Sequence, residues 1–425
     1  MRARFIKTFQ SLTVRNYRLF ASGQLAKLVG VWMMFIAQDW LVLQLSDDSA
    51  SAVGLVVALQ FTPVLLLTLF GGALADRSDK RKLLMVANAA FATLAISLAM
   101  LVLTGVVQLW HVFVLAGAMG TANAIETPAR QAFVSELVGT TLLPNALSLN
   151  ASVFNSARIA GPAIGGAAIA TVGLGPTFLI ATMAAVSPLI SLSRMRPAEL
   201  HRDLLPRSQR GRARVSDGLR YVWQRSDLVM AMALVAVVGA AGFNYQVTLP
   251  VLSKVVYSTG AASFGLLAAA LATGSLAGAL AGSWRRSRPS PYLVVGAAVA
   301  FGGFSMLVGF ASPYWLVALL LLPTGFFAIF FAQAANQRVQ LGCDASFRGR
   351  VMALYVLVFL GTTPLGALAV GWWSERFGPE SAIWLGGLLS LLAGAAALGW
   401  QLRRHGEVLR LQIRPLPKLY VVRAG

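Results

Sequence analysis

Long apolar segments recur along the whole chain, and they limit its possible folds more than any other feature. Each is about 20 residues long, the length that an α-helix needs to cross a hydrocarbon core about 30 Å thick. Of the 425 residues, 57% are hydrophobic and 12% are charged, whereas soluble domains carry about 25% charged residues. The segments, numbered span one to span twelve in chain order, are 18–43, 52–74, 83–104, 109–130, 146–171, 176–194, 228–250, 260–283, 292–311, 313–336, 350–373 and 381–402. The sequence therefore predicts an all-α membrane protein with twelve transmembrane helices.

Basic residues are confined almost entirely to alternate loops. The chain has 35 Lys and Arg against 15 Asp and Glu, a formal net charge of +20. If the N-terminus is cytoplasmic, 31 of the 35 lie in cytoplasmic loops and tails; Lys254 and Arg376 lie in outer loops, and Lys27 and Arg158 lie within spans. This positive-inside pattern predicts that both termini are cytoplasmic, and it explains the charge without a nucleic-acid partner. We expect a multi-pass protein of a bacterial cytoplasmic (inner) membrane.

Motifs for catalysis or ATP hydrolysis are absent from the sequence. It has no G-x-x-x-x-G-K-[ST] loop, so ATP hydrolysis by this chain cannot drive a transport cycle. A single cysteine, Cys343, and three scattered histidines offer neither a disulfide nor a metal cluster. We therefore expect no enzyme activity, no cofactor and no bound metal. Energy for transport would come from an ion gradient or from the substrate's own gradient.

The chain divides into two halves of six spans each. The longest polar segment, 194–226, contains nine arginines and separates the halves. Its last part, from Ser216, has a helix start signal and predicts a short amphipathic helix. Related signals recur at matching positions, since GALADRSDKRK follows span two and GALAGSWRRSR follows span eight. The predicted domains are an N-terminal six-helix bundle (1–194), a cytoplasmic linker (195–227), a C-terminal six-helix bundle (228–402) and a basic cytoplasmic tail (403–425). Such pseudo-symmetric repeats are typical of transporters with a site between the halves.

The loop GALADRSDKRK (72–82) resembles the G-x-L-A-D-R-x-G-R-R signature of the major facilitator superfamily. Asp79 stands where the family prefers glycine. Asp76 can accept hydrogen bonds from a helix terminus and pair with cations such as Arg130. The resemblance implies a latch that holds the cytoplasmic side closed in the outward-open state; a solvated basic turn is the alternative. The predicted latch residues are Gly72, Asp76, Arg77, Lys80, Arg81, Arg130, Arg348 and Arg350.

A second motif, NSARIAGPAIGG (155–166), lies in span five. Glycines allow helices to approach closely, and a proline removes a backbone hydrogen bond and kinks the helix. The motif resembles the G-P-x-x-G-G signature of drug exporters in the same superfamily, which implies a pivot in span five and transport outward. Ordinary packing of small residues is the alternative. The matching residues are Gly161, Pro162, Gly165 and Gly166.

Two further stretches narrow the resemblance. ETPARQAF (126–133) and FRGRVMALY (347–355) resemble signatures of the transmembrane secretion effector branch, which includes the enterobactin exporter of enteric bacteria. The resemblance extends over nearly the whole chain and implies the fold of the superfamily. One departure concerns proton coupling, because the arginine that the family carries four residues before Gly120 is here Ala116.

Ionisable and amide side chains inside the spans are candidates for a central cavity. A mid-membrane guanidinium costs at least about 2.5 to 3.5 kcal/mol, so Arg158 requires a partner: Asp39, Glu126 or an anionic substrate. Glu126 either pairs with Arg130, four residues later, or carries a coupling proton, and Asp39 is the other candidate carrier. The predicted cavity residues are Lys27, Gln38, Asp39, Gln60, Asn123, Glu126, Asn155, Arg158, Asn244 and Tyr245.

Together these features predict a monomeric secondary transporter that exports a small amphipathic molecule by alternating access, in exchange for protons. The expected partners are a small-molecule substrate, protons and the lipid bilayer. Lys27 and Arg158 favour an anionic, siderophore-like cargo, whereas the many Phe, Met and Trp residues suit lipophilic drugs. An importer or uniporter of a small metabolite and a membrane sensor without transport activity are the alternatives.

Overall fold

The computed structural model describes residues 9–201, 215–285, 287–344, 347–405, 407–412 and 418–423. Eleven of its helices are long and apolar enough to cross a membrane. They are Arg15–Leu45 (span one), Ala50–Arg77 (two), Lys80–Leu103 (three), Leu109–Val172 (four and five), Leu174–Ser193 (six), Ser226–Val256 (seven), Ala261–Ser283 (eight), Pro291–Phe310 (nine), Tyr314–Gly342 (ten), Arg348–Phe377 (eleven) and Pro379–His405 (twelve). The predicted all-α membrane architecture is confirmed.

Spans four and five belong to one helix of 64 residues, Leu109–Val172. At 1.5 Å per residue it would measure about 96 Å if straight, roughly three times the thickness of a hydrocarbon core. Gly139 interrupts it with φ 67° and ψ −176°, a conformation that glycine adopts at little cost. The interruption separates two arms, 109–138 and 140–172, and counting them separately gives twelve spans.

Span seven is irregular in its middle. Its first part, Ser226–Val237, passes into a π-helical turn, Val238–Gly242, and the α-helix resumes at Tyr245–Val251 before a second π-helical turn, Leu252–Val256. Single π-helical turns occur frequently at functional sites. Two predicted cavity residues, Asn244 and Tyr245, follow directly after the first π-helical turn.

Side-chain caps begin several spans where the sequence has polar residues. Ser49 accepts a hydrogen bond from the Ala52 amide at 3.2 Å and begins span two. Asp79 accepts one from the Lys82 amide at 3.1 Å and begins span three. Such caps satisfy amides that have no partner within the helix. Asp79, the departure from the family signature, thus acts as a helix cap, with a φ of −63° that requires no glycine.

Contacts divide the chain into two compact units. The first comprises Met1–Arg212, Asn244–Thr273 and Thr363–Ala382. The second comprises Ala213–Phe243, Gly274–Thr362 and Ile383–Gly425. The first unit therefore includes spans one to six together with segments of spans seven, eight and eleven. The division into two six-helix bundles at 1–194 and 228–402 stays a prediction.

The core of the first unit lies where spans one, four and six pack together. Tyr17, Phe20, Phe133 and Leu192 are among its buried side chains. The Tyr17 hydroxyl donates a hydrogen bond to the Ala146 carbonyl at 2.8 Å, which satisfies the polar end of a buried aromatic ring. We define the near side of the first unit as the side where span one begins. This core stabilises the packing of helices on that side.

Glycines bring helices of the two sequence halves together on the far side of the first unit, where span one ends and span two begins. A Cβ built on Gly166 of span five would lie 2.6 Å from the Ala261 carbonyl and 3.0 Å from Cα of Gly265, both in span eight. A Cβ on Gly54 of span two would lie 3.1 Å from Cα of Gly371 in span eleven. Such close crossings replace the hydrophobic effect as a source of packing energy in lipid.

Two smaller elements complete the fold. The predicted amphipathic helix is present as Val215–Gln224, whereas the linker residues 202–214 lie outside the described part of the chain. The tail, which we expected to be merely basic, contains two antiparallel strands, Glu407–Gln412 and Lys418–Arg423. Valine occurs in both segments and tyrosine in the second, and such residues favour strands.

Gly166→Ala tests whether the crossing of spans five and eight stabilises the fold. The added methyl group would overlap the Ala261 carbonyl, so we expect a loss of about 1 to 3 kcal/mol of stability. Gly303→Ala in span nine is the matched control, because a Cβ there meets no atom within 4 Å and alanine gains up to about 1 kcal/mol of helix propensity. Thermal unfolding of both purified variants measures the difference, and equal melting temperatures would contradict the interpretation.

Candidate functional site

A buried ion cluster joins spans one and four. Nζ of Lys27 lies 3.0 Å from Oε1 of Glu126, and Nε of Arg130 lies 3.2 Å from the same oxygen. The side chains of Lys27 and Glu126 are each only 4% exposed. Nζ of Lys27 also lies 5.8 Å from the ring centre of Phe91, a favourable cation–π distance. We call these three charged residues the ion triad.

The ion triad carries one carboxylate for two cations. Charges taken out of water need close partners of opposite sign, and Glu126 provides such a partner to both Lys27 and Arg130. The pairing of Glu126 with Arg130 that the sequence suggested is thus present, and Lys27 contacts the same carboxylate. The alternative role of Glu126, as carrier of a coupling proton, stays a prediction. The triad keeps one positive charge in excess.

Asp39 has no such partner. The residue is 1% exposed, and among the described residues neither carboxylate oxygen has a hydrogen-bond partner. An isolated carboxylate in a medium of low dielectric costs several kcal/mol and is avoided unless it binds a proton, a cation or a ligand. Asp39 therefore differs in kind from Glu126, although both are carboxylates within spans.

A chain of three carboxamides ends at Gln38, the residue before Asp39 in span one. Nε2 of Gln246 in span seven donates to Oε1 of Gln60 in span two at 3.1 Å. Nε2 of Gln60 in turn donates to Oε1 of Gln38 in span one at 3.1 Å. Nε2 of Gln38 ends this amide chain, and it has no hydrogen-bond partner among the described residues. Two cavity residues predicted from sequence, Gln38 and Gln60, thus bond to each other directly, and a third glutamine that we had not singled out, Gln246, extends the chain.

The remaining predicted cavity residues are distributed over three spans. Arg158 is half-buried, and its Nε has no hydrogen-bond partner in the described part of the chain. Asn155 donates to the Ala151 carbonyl of its own helix at 2.8 Å. Asn123 is half-buried on the span that carries Glu126, and Asn244 and Tyr245 are buried in span seven. Among the residues described, Arg158 pairs with neither carboxylate proposed for it.

The predicted latch residues of the first unit lie on its near side and make local contacts. Nζ of Lys80 lies 2.6 Å from Oε1 of Glu136, a partner that sequence reasoning missed. Nε of Arg81 donates to the Leu192 carbonyl at 2.8 Å at the end of span six. A helix end has unsatisfied carbonyls, so a cation is favourable there. These contacts connect the start of span three to spans four and six.

Other latch residues occupy varied environments. Arg77 and Asp76 are exposed at the end of span two, and a Cβ on Gly72 would meet no atom within 4 Å. In the second unit, Arg348 is exposed, and the guanidinium of Arg350 lies 5.2 Å from the ring centre of Phe347. The role of these residues as a latch stays a prediction.

Polar contacts accompany the glycine crossings on the far side of the first unit. Lys254 of span seven forms an ion pair with Asp48 and donates to the Leu43 carbonyl at 3.2 Å. Glu375 of span eleven accepts hydrogen bonds from the Ser49 hydroxyl and the Ser51 amide, both at 3.0 Å. A carboxylate at a helix N-terminus is stabilised by the amides there. These contacts, which we call the far-side seal, join spans one and two to spans seven and eleven.

The span-five glycines serve close packing. A Cβ on Gly161 would lie 2.3 Å from Cβ of Trp32, and one on Gly165 would lie 3.0 Å from Cα of Met33, both in span one. Pro162 lies inside the helix, but the non-helical residue within Leu109–Val172 is Gly139. The role of Pro162 as a pivot stays a prediction. In the described ranges, no group of three or more His, Cys, Asp or Glu side chains could hold a metal ion.

Glu126→Gln tests the electrostatic role of the ion triad. The substitution leaves Lys27 and Arg130 buried without their carboxylate, so we expect a loss of about 3 to 5 kcal/mol of stability. Glu199→Gln is the matched control, since its ion pair with Arg196 is largely exposed and such pairs contribute about 0 to 1 kcal/mol. The melting temperatures of both variants are measured in detergent and compared with that of the unmodified protein. A Glu126 variant as stable as the control would refute a stabilising triad.

Comparison with known proteins agrees with this architecture. The family model described as transmembrane secretion effector matches residues 6–418. The chain is 25% identical to the staphyloferrin A transporter of Staphylococcus aureus over 382 residues, covering 85% of this chain and 90% of that protein. It is 27% identical to the multidrug efflux pump Tap of Mycolicibacterium fortuitum over 383 residues, covering 87% and 91%. A crystal structure of the peptide transporter POT superposes with a TM-score of 0.74 at 13% identity, over 91% of this chain and 94% of that one. The chain therefore belongs to the transmembrane secretion effector family of transporters, a branch of the major facilitator superfamily.

Proposed function

We propose that this protein is a secondary transporter that exports a small amphipathic molecule, a siderophore-like compound or a drug, by alternating access coupled to protons. Family membership supports transport, and relatives described as a staphyloferrin A transporter and as a multidrug efflux pump support these two cargo classes. The proposal rests on two ionisable groups that form no ion pair among the described residues: the buried carboxylate of Asp39, and the half-buried guanidinium of Arg158, whose Nε has no hydrogen-bond partner there.

Unpaired ionisable groups in spans are costly, and they persist where function requires them. In the ion triad, each charged side chain has an opposite charge within 3.2 Å, so the protein itself compensates these buried charges. Asp39 and Arg158 lack this arrangement among the described residues. We assign the proton to Asp39 and an anionic group of the cargo to Arg158, since each ligand would neutralise the charge that the protein leaves unpaired.

The far-side seal supplies one state of the cycle. With Glu375 bound at the start of span two and Lys254 bound to Asp48, the far side of the first unit is closed. Asp39 is then shut off from water and carries its proton as a neutral acid. Breaking the seal would hydrate Asp39 from the far side and allow proton exchange there. Closing and opening the seal would thus control proton access to Asp39 from the far side, as alternating access requires.

The charge of the site favours an anionic cargo over a cationic one. The ion triad has one uncompensated positive charge, and Arg158 adds a second. The amide chain ends in a free donor on Gln38, which suits hydroxyl or carbonyl oxygens of a cargo. We therefore rank a siderophore-like compound with several oxygens and negative charge above a lipophilic cation.

Asp39→Asn tests the proposed coupling. The amide has the size of the neutral acid but cannot release a proton, so we expect it to abolish stimulation by a proton gradient while exchange driven by the cargo gradient persists. The assay follows a catecholate anion, 2,3-dihydroxybenzoylserine, and a lipophilic cation, ethidium, in proteoliposomes with and without an imposed pH gradient.

Asp47→Asn is the matched control for this assay, because Asp47 is exposed in the turn after span one and should not affect coupling. Full proton stimulation of the Asp39 variant would exclude Asp39 as the proton carrier. Absence of flux for both probes from the unmodified protein, together with binding of either probe, would favour the sensor alternative.

Arg158→Ala tests cargo recognition separately from coupling. We expect loss of dihydroxybenzoylserine transport with normal insertion and folding, and partial recovery in Arg158→Lys, which keeps the charge but loses the planar fork of donors. Loss of expression in the alanine variant and full recovery in Arg158→Met would instead indicate a packing role. Flux and melting temperature measured on the same preparations distinguish the two results.

A further inference from the structure

A polar cavity of about 320 Å³ lies in the second compact unit, away from the residues discussed above. It opens where the amphipathic helix Val215–Gln224 leads into span seven, beside the last turns of spans ten and twelve. Its lining residues are Gln224, Arg225, Ser226, Asp227, Arg338, Gln401 and Arg404. The cavity therefore lies where three helices of the second unit begin or end, at the level where we expect the membrane–water interface.

The lining contains three guanidinium groups and a single carboxylate, Asp227. This carboxylate is already paired, since Oδ2 lies 2.5 Å from NH2 of Arg288 and Oδ1 lies 3.4 Å from Nε of Arg225. Burial acts to lower the pKa of Arg225, but the hydrogen bond and charge of Asp227, together with Tyr221 and Asp344, raise that pKa overall, so Arg225 stays charged. Among the described residues, neither Arg338 nor Arg404 forms an ion pair, although Asp227 lies within electrostatic range of Arg338. The lining thus has a net positive charge that one more anion would balance.

Arg338 gives the strongest indication that an anion belongs there. The residue is only 7% exposed, and its NH1 donates to the Pro289 carbonyl at 2.8 Å. Its Nε has no hydrogen-bond partner among the described residues, although it is shielded from solvent. A buried charged donor without an acceptor costs free energy that a bound anion would recover.

The surroundings of the cavity favour a lipid as the source of this anion. Trp223 is 77% exposed and follows Leu219 by one helical turn, so both apolar side chains are on one face of the amphipathic helix. The ring centre of Trp400, a residue that is 40% exposed, lies 5.4 Å from the Arg404 guanidinium. Tryptophan side chains are enriched at membrane–water interfaces, where acyl chains and headgroups meet.

The amphipathic helix is held firmly beside the cavity. The Tyr221 hydroxyl accepts hydrogen bonds from the Asp344 amide at 3.1 Å and from NH1 of Arg225 at 3.2 Å. Its ring stacks on Phe347 with centres 4.4 Å apart. NH2 of Arg225 also donates to the Gly342 carbonyl at 3.0 Å. The position of Arg225 is therefore set by the protein before any ligand binds, which lowers the entropic cost of binding.

We propose that this cavity binds the phosphodiester group of an anionic phospholipid from the adjoining leaflet, with its acyl chains along Leu219 and Trp223. Arg338 and Arg404 donate to the phosphate oxygens, and Arg225 holds Asp227 away from them. Basic pockets between transmembrane helices are known to bind such headgroups. The site is independent of the transport residues, so its test does not depend on the cargo.

The test uses the purified full-length protein and compares Arg404→Gln with Arg403→Gln. Both arginines are exposed on span twelve, but only Arg404 lines the cavity. Binding of dioleoylphosphatidylglycerol, dioleoylphosphatidylcholine and inorganic phosphate is measured by thermal shift and by lipid retention in native mass spectrometry. We expect phosphatidylglycerol to bind the unmodified protein preferentially, with affinity about fivefold lower in the Arg404 variant and unchanged in the Arg403 variant.

Several outcomes would overturn the proposal. Equal losses in the Arg403 and Arg404 variants would indicate only a general attraction to a negative surface. Stabilisation by inorganic phosphate equal to that by phosphatidylglycerol would identify a soluble anion as the ligand. Arg338→Gln adds a second measurement: loss of phosphatidylglycerol retention in folded protein supports the site, and full retention contradicts it. If that variant fails to fold, the Arg404 and Arg403 comparison decides.

Discussion

The structure depends on the high free energy of a charge that leaves water. Inside the spans, every ionisable side chain must find an opposite charge, bind a ligand or be neutral. The ion triad meets this requirement within the protein, since Glu126 contacts both Lys27 and Arg130 within 3.2 Å. Asp39 does not meet it, and its two oxygens have no partner among the described residues. The contrast between two carboxylates in one compact unit separates a charge that the protein itself pairs from one that we propose takes part in transport.

The backbone is subject to a related constraint, because lipid offers no hydrogen bonds and little driving force for association of helices. Close glycine crossings supply that association on the far side, where Gly166 meets Gly265 and Gly54 meets Gly371. Polar contacts from Lys254 and Glu375 lie beside these crossings. Contacts of this kind are individually weak and can be broken and remade, as a gate requires. The far-side seal therefore combines a fitted packing surface with electrostatic contacts that hydration would loosen.

Arginines at the ends of the spans do more than set the orientation of the chain in the membrane. In the first unit, Arg81 satisfies a carbonyl at the end of span six. In the second unit, Arg225 and Arg288 neutralise Asp227, while Arg338 is buried beside a cavity without a carboxylate of its own. The positive-inside analysis of the sequence counts all these arginines as equivalent. Their different burial and partners indicate distinct roles in capping helices and holding the amphipathic helix, and they support the lipid site that we propose.

The sequence by itself determined the features that each residue carries independently of its neighbours in space. Apolar lengths specify the spans, the motifs identify the family, and basic loops predict the orientation, because the bilayer acts on each segment separately. Tertiary structure alone decided which side chains meet. Lys27 and Glu126 are 99 positions apart, and Gln246 completes an amide chain with Gln38 and Gln60. Hydropathy shows that such groups are in the membrane, but their partners depend on how distant helices cross, and that is set by packing of the whole unit.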